Sequence, residues 1–141
     1  MIILLIALIF SKPAKAEDKL YPVVVERVKD GDTIVIKPFL KDEIFKNYKF
    51  TVRLLKSNTP ELDSNSKCER ELAQKASEFT KNLLPAGKKI TLVVDSEKPL
   101  DAFGRILADV IVDDKSASEL LLKNKLAVLY KKDVKPFYCK D

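Results

Sequence analysis

Histidine is missing from all 141 residues. That excludes a Ser-His-Asp triad and an HExxH zinc site. Cysteine occurs only at Cys68 and Cys139. Without histidine, two cysteines are too few for a structural zinc site, and neither has an imidazole to activate it as a nucleophile. Any metal would have to be held by oxygens, which points to Ca2+ or Mg2+. With 3 glycines and 7 prolines, no long disordered region is expected. A membrane-spanning run is also lacking: the apolar stretch MIILLIALIF covers residues 1–10, whereas a spanning helix needs about 20 residues.

What is present fits one domain. Hydrophobic residues make up 46% and charged residues 33%, enough apolar material for a single core. The apolar N-terminus is followed by SKPAKA, and Ala14-Lys15-Ala16 fits the small-x-small cleavage pattern of an exported protein. Residues 1–16 are therefore expected to be a cleaved signal peptide, although no basic residue precedes the run. The other readings are a short membrane-associated tail or a basic leader lost through a mis-assigned start. Cleavage would remove Lys12 and Lys15, leaving 24 basic residues against 21 acidic ones, a net +3. Such a charge permits a polyanionic ligand without requiring one. After cleavage no stable membrane insertion is expected, and nothing in the sequence signals an oligomer, so a monomer is expected. In an exported chain Cys68 and Cys139 are more readily a disulfide than two separate thiols.

Patterning places strands at 21–28, 33–39 and 48–57, with Asp30-Gly31 as a two-residue turn between the first two. Ser66 and Glu69 form a capping-box signal. Leu72, Ala76, Phe79, Leu83 and Leu84 then recur at helical spacing, predicting a helix from about 67 to 84, before Pro85. Strands follow at 88–96 and 103–114. A second capping box, Ser116 to Glu119, opens a short helix, and a last short strand is expected at 126–130. The fold class expected is α+β, mainly β: a five-stranded OB-fold barrel with two to three helices.

Several polar residues interrupt or end these strands. Arg53 and Arg105 lie between apolar neighbours, where a guanidinium is costly without a partner. Asp32, Asn58, Thr59 and Glu61 lie at strand ends. Two guanidiniums, two acids and an oxygen-rich pair suit phosphodiester hydrolysis assisted by a hard cation. The bland alternatives are a turn role for Asp32, an Asx turn at Asn58, a solvated Glu61, and ion pairing of the arginines with Asp32, Glu61 or Asp101. Phe103 and Tyr130 are expected in the core or at the barrel rim.

The motifs DGDT (30–33), RLLKSNTPE (53–61), CERELAQKASEFTKNLL (68–84), DAFGR (101–105) and SELLLKNKLA (118–127) resemble, in order and approximate spacing, the staphylococcal nuclease or thermonuclease family. The resemblance covers about residues 22–130, within a domain taken as 17–141. It implies an OB barrel and Ca2+-dependent cleavage of DNA and RNA that leaves 3′-phosphates, with single-stranded DNA and RNA as substrates and one calcium ion. By matching position, Asp32, Asn58 and the Thr59 carbonyl would hold the ion. Glu61 would orient or deprotonate water, and Arg53 and Arg105 would clamp the phosphate. The chain departs from the family pattern in four ways: Asn58 replaces an aspartate ligand, Phe103 replaces a tyrosine, Ala102 replaces a lysine, and the connection between strands two and three is longer. The alternative is an inactive nuclease-like module that binds nucleic acid, a protein partner or another polyanion. Mild charge and an expected scarcity of exposed aromatics weigh against a dedicated binder.

Overall fold

A computed structural model describes residues 17–39, 43–44 and 46–139. The proposed signal segment and residues 40–42 of the long connection lie outside these. The first strand, β1 (Lys19–Val28), pairs antiparallel with β2 (Thr33–Pro38), which pairs with β3 (Phe50–Leu54). Farther along the chain, β5 (Lys89–Val94) returns to the free edge of β1 and carries β6 (Ile106–Val112) on its other side. A parallel pairing of β6 with β3, Val52 opposite Ile106 and Leu54 opposite Ala108, closes the barrel. The result is the five-stranded OB barrel with two helices among the described residues. Inward positions alternate as a two-residue period demands. Val23 and Val25, Ile34 and Ile36, Val52 and Leu54, Ile90 and Leu92, and Ala108, Val110 and Val112 are all buried. No helix among the described residues is long and apolar enough to cross a membrane.

Between β3 and β6 lies α1 (Lys67–Leu83), and after the two-residue strand β7 (Lys115–Ser116) comes α2 (Ala117–Lys123). Each starts where a serine accepts from the third helical amide: Glu69 N donates to Ser66 Oγ and Glu119 N to Ser116 Oγ, both at 3.3 Å. Such a cap contributes about 1 kcal/mol. The glutamates do not close the predicted boxes. Glu69 accepts instead from Ser64 Oγ, and Glu119 faces Lys56 at 3.7 Å.

Three expectations change in detail. The predicted strand 48–57 breaks after Leu54. Its last part becomes β4 (Ser57–Asn58), which leaves the barrel to pair with β8 (Val128–Leu129). The apolar stripe predicted for α1 does face the core, with Ala76 and Leu84 buried and Phe79 and Leu83 packed against it, but the buried face is wider than the stripe and takes in Ala73, Ser77 and Thr80. Small side chains let the helix approach the barrel closely. Finally, Asp30-Gly31 is not a two-residue hairpin turn. Lys29 N and Asp30 N both donate to Thr33 O, so residues 29–32 form a longer loop. Gly31 is needed for proximity: a Cβ there would lie 2.7 Å from Thr59 Cγ2 and 2.9 Å from Ala76 Cβ. The Thr80 hydroxyl donates to Gly31 O at 2.7 Å, so α1 seats the loop that carries Asp32.

Candidate active site

The break after Leu54 places Arg53. Its Nη1 donates to Leu54 O and to Ser57 O, both at 2.7 Å, satisfying carbonyls on either side of the bend. Its Nη2 donates to Asn58 Oδ1 at 2.8 Å and lies 3.1 Å from Asp32 Oδ2. The Arg53 side chain is 12% exposed. Asp32 is buried and is held on three sides. Its Oδ2 also accepts from Thr59 N at 2.7 Å, its Oδ1 accepts from Thr33 Oγ1 at 3.3 Å, and its amide donates to Asp30 Oδ1 at 3.1 Å. Burial pushes the Asp32 carboxyl up from its ordinary value, while Arg53 and the Thr59 amide pull it down less strongly.

Two candidate ligand oxygens, Asp32 Oδ2 and Asn58 Oδ1, therefore converge on one guanidinium nitrogen. The ion-pairing alternative for Arg53 is present in this structure, and the Asx-turn alternative for Asn58 gives way to a side-chain bond to that arginine. Among the described residues no three His, Cys, Asp or Glu side chains are grouped to hold a metal. An ion here would rely on one carboxylate and neutral oxygens. That donor set fits a hard cation.

Arg105 is placed by a turn that the sequence announces only as Asp-x-x-Gly-Arg. Asp101 Oδ1 accepts from the amides of Phe103 and Arg105, both at 2.9 Å, and Gly104 takes φ +75°, a conformation that favours glycine. Asp101 Oδ2 accepts from Arg105 Nε at 2.6 Å. Partial burial raises the Asp101 carboxyl, but these three donors outweigh it and hold the group below its usual range. The guanidinium lies 5.5 Å from the Phe103 ring centroid, over its face.

Arg53 and Arg105 line one cavity of about 420 Å3, together with Lys98, Phe103, Tyr130 and Lys132. Phe103 is 84% exposed and Tyr130 52%, so both belong to the rim and neither to the core. Exposed aromatics are not scarce: seven of the nine described are exposed. The expected scarcity is overturned: Val, Ile, Leu and Ala fill the buried core, which leaves most rings outside it.

Glu61 follows Pro60 beyond β4. Its carboxylate is exposed and makes no hydrogen bond or ion pair among the described residues. Partial desolvation raises its pKa, and the charges of Asp32, Asp30 and Asp63 add to that, against Arg53. It opens onto a different cavity from the arginine pair, one of about 880 Å3 that also includes Asp63, Glu69, Lys135 and Phe137.

Tyr138 is the residue that sequence reasoning missed. Its hydroxyl donates to Asn58 O at 3.0 Å. Burial, and then the negative charges of Asp32 and Glu61, push the phenol up, so it keeps its proton at ordinary pH. Only Cys139 marked this tail in the sequence, and the structure joins it to Cys68 (S–S 1.99 Å).

Comparison with known proteins bears on this geometry. Residues 51–140 match the family model described as staphylococcal nuclease homologue. Endonuclease YncB of Bacillus subtilis is 39% identical over 114 residues, covering 81% of this chain and 50% of that protein. Endonuclease YhcR of the same organism is 37% identical over 124 residues, 84% of this chain but 10% of the relative. A thermonuclease of Staphylococcus intermedius is 36% identical over 104 residues, 74% of this chain and 56% of the relative. The chain thus spans from a tenth to little more than half of the length of these relatives.

Proposed function

Since the chain belongs to the staphylococcal nuclease family, we propose that it is a calcium-dependent nuclease hydrolysing phosphodiester bonds in DNA and RNA and leaving 3′-phosphates. The observation that carries the reading is the shared cavity of Arg53 and Arg105, each guanidinium oriented by its own carboxylate. A phosphate entering there meets the outer N–H groups of Arg105 directly. Arg53 reaches it by giving up part of its contact with Asn58 and Asp32. Paired guanidiniums stabilise the charge that builds on a five-coordinate phosphorus. Glu61 opens onto the neighbouring cavity but lies within the field of Asp32 and Arg53; with no competing partner among the described residues, it is the base proposed to position and deprotonate the attacking water. Asp32, Asn58 Oδ1 and the Thr59 carbonyl would hold Ca2+, which when bound polarises the phosphate. Single-stranded DNA and RNA are the substrates proposed, Phe103 and Tyr130 offering ring faces at the rim. Residues 1–16 are proposed to direct export and to be removed, leaving a monomeric domain.

The test is degradation of single-stranded DNA by residues 17–141 across a Ca2+ titration with a chelator control. Cutting that appears with Ca2+ and stops with chelator is the expected result. Binding of the oligonucleotide without cutting, by folded protein, would support the second reading, a non-cutting binding module. The exposed aromatics and the capture of Arg53 by Asn58 and Asp32 favour that reading.

Asn58 sets the calcium requirement. Asn58→Asp adds a formal charge beside Asp32 and is expected to lower the Ca2+ concentration for half-maximal rate about tenfold, the scale of one charge-assisted contact. An unchanged titration would remove Asn58 from the ligand set.

A further inference from the structure

The segment 131–139, after β8, has little to hold it. Among the described residues its backbone makes one hydrogen bond, Val134 N to Lys131 O, which lies within the segment. Three other things fix it: the bond from Cys139 to Cys68 in the first turn of α1, the hydroxyl of Tyr138 on Asn58 O, and the Tyr138 ring, which lines a cavity of about 270 Å3 with Pro60, Leu72, Leu122 and Leu126.

Asn58 O belongs to the peptide unit whose N–H is that of Thr59. That N–H donates to Asp32 Oδ2 at 2.7 Å. One peptide is thus gripped at both ends, its amide by the buried carboxylate and its carbonyl by the Tyr138 hydroxyl in addition to the pairing of Asn58 with Val128. A donor on the carbonyl polarises the peptide and strengthens the bond made by its N–H. The same grip fixes the plane of the peptide from which the Thr59 backbone continues. The disulfide returns the tail to α1, and α1 holds the Asp32 loop through Thr80 and Gly31. The connection runs from sulfur to phenol to peptide to carboxylate, and then to Arg53.

We propose that Tyr138 is a positioning residue for the Asp32–Asn58–Thr59 cluster, and that the Cys68–Cys139 disulfide makes this positioning depend on redox state. The functional part rests on the nuclease reading; the geometric part does not. Reduction by a dithiol breaks the S–S bond. Two electrons and two protons pass to the cysteines, two thiols result, and the reductant closes to its own disulfide. The tail then loses its covalent hold, and the Tyr138 hydroxyl is no longer kept on the Asn58 carbonyl, which retains its place opposite Val128 in the β4–β8 pair.

The experiment compares the parent and Tyr138→Phe, each oxidised and each reduced with dithiothreitol, by amide hydrogen exchange. Phenylalanine keeps the ring and its packing and removes only the donor. With the disulfide intact, Thr59 N–H is expected to exchange about fivefold faster in Tyr138→Phe, the scale of one ordinary hydrogen bond, while the core amide of Val110 is unchanged. Reduction is expected to accelerate Thr59 in the parent and to add little in Tyr138→Phe. The Ca2+ concentration for half-maximal cutting should rise by a similar factor, relative to the oxidised parent, in the reduced parent and in both the oxidised and the reduced Tyr138→Phe. Equal Thr59 exchange in the oxidised parent and variant would overturn the proposal, as would an equal effect of reduction on both. If no form cuts DNA, the nuclease reading fails, and Thr59 exchange still decides whether Tyr138 positions the cluster.

Discussion

Replacing Glu61 by Gln is expected to slow DNA cleavage by roughly 10²- to 10⁴-fold, the range for removing a positioned general base. The substitution is nearly isosteric and touches a side chain with no hydrogen-bond or ion-pair partner among the described residues, so the fold should survive. The sign of the electrostatics supports this. Desolvation, followed by the charges of Asp32, Asp30 and Asp63, raises the folded pKa of Glu61. A carboxyl raised in the folded state favours folding while it is protonated. That advantage is lost as pH rises from the unfolded value through the folded one. At neutral pH the charged Glu61 therefore opposes folding slightly, and Gln removes the opposition. The thermal midpoint should stay equal or rise. In the parent the acid limb of the rate–pH profile should lie above the ordinary glutamate range. A variant that cuts at the parental rate would sink the assignment of Glu61, whatever its stability.

The two arginines should separate when each is removed. Arg53 packs, half-buried, against the buried Asp32, Asn58 and two backbone carbonyls. Arg53→Met leaves the Asp32 carboxylate without its counter-charge in a buried setting, and breaking such a pair from one side costs about 3–5 kcal/mol. Urea unfolding should show that loss as a lower midpoint. Arg105→Ala removes a pair that is 30% and 14% exposed on its two sides. The Asp101 carboxylate keeps the amides of Phe103 and residue 105, so the turn persists, and the cost should stay below about 1 kcal/mol. Cleavage by Arg105→Ala should nonetheless fall roughly 10²- to 10³-fold, as when one donor to a transition-state oxygen is lost. A large stability loss at Arg105, or a negligible one at Arg53, would show that the structural and phosphate-facing roles are divided otherwise.

The sequence alone determined the barrel and where its polar interruptions fall. Alternating apolar residues specify strands with one inward face, and the two serine caps fix where α1 and α2 begin. Arg53 and Arg105 were legible because a guanidinium between apolar neighbours demands an explanation, and the absence of histidine limited any metal site to oxygen ligands. The tertiary structure alone decided the rest, because each remaining feature depends on residues far apart in the chain. That Ala73, Ser77 and Thr80 join the buried face of α1 follows from how near the helix comes to Gly31, and apolar spacing cannot reveal that. Phe103 stands exposed because the Asp101 turn lifts it clear of the barrel. Asn58 presents its oxygen to Arg53 only because the strand breaks at Leu54. Tyr138 lies 80 positions beyond Asn58 and meets it only where the tail, bonded to α1, folds back across β4. Local pattern carries local structure; a contact made by long-range closure of the chain leaves no periodic trace in it.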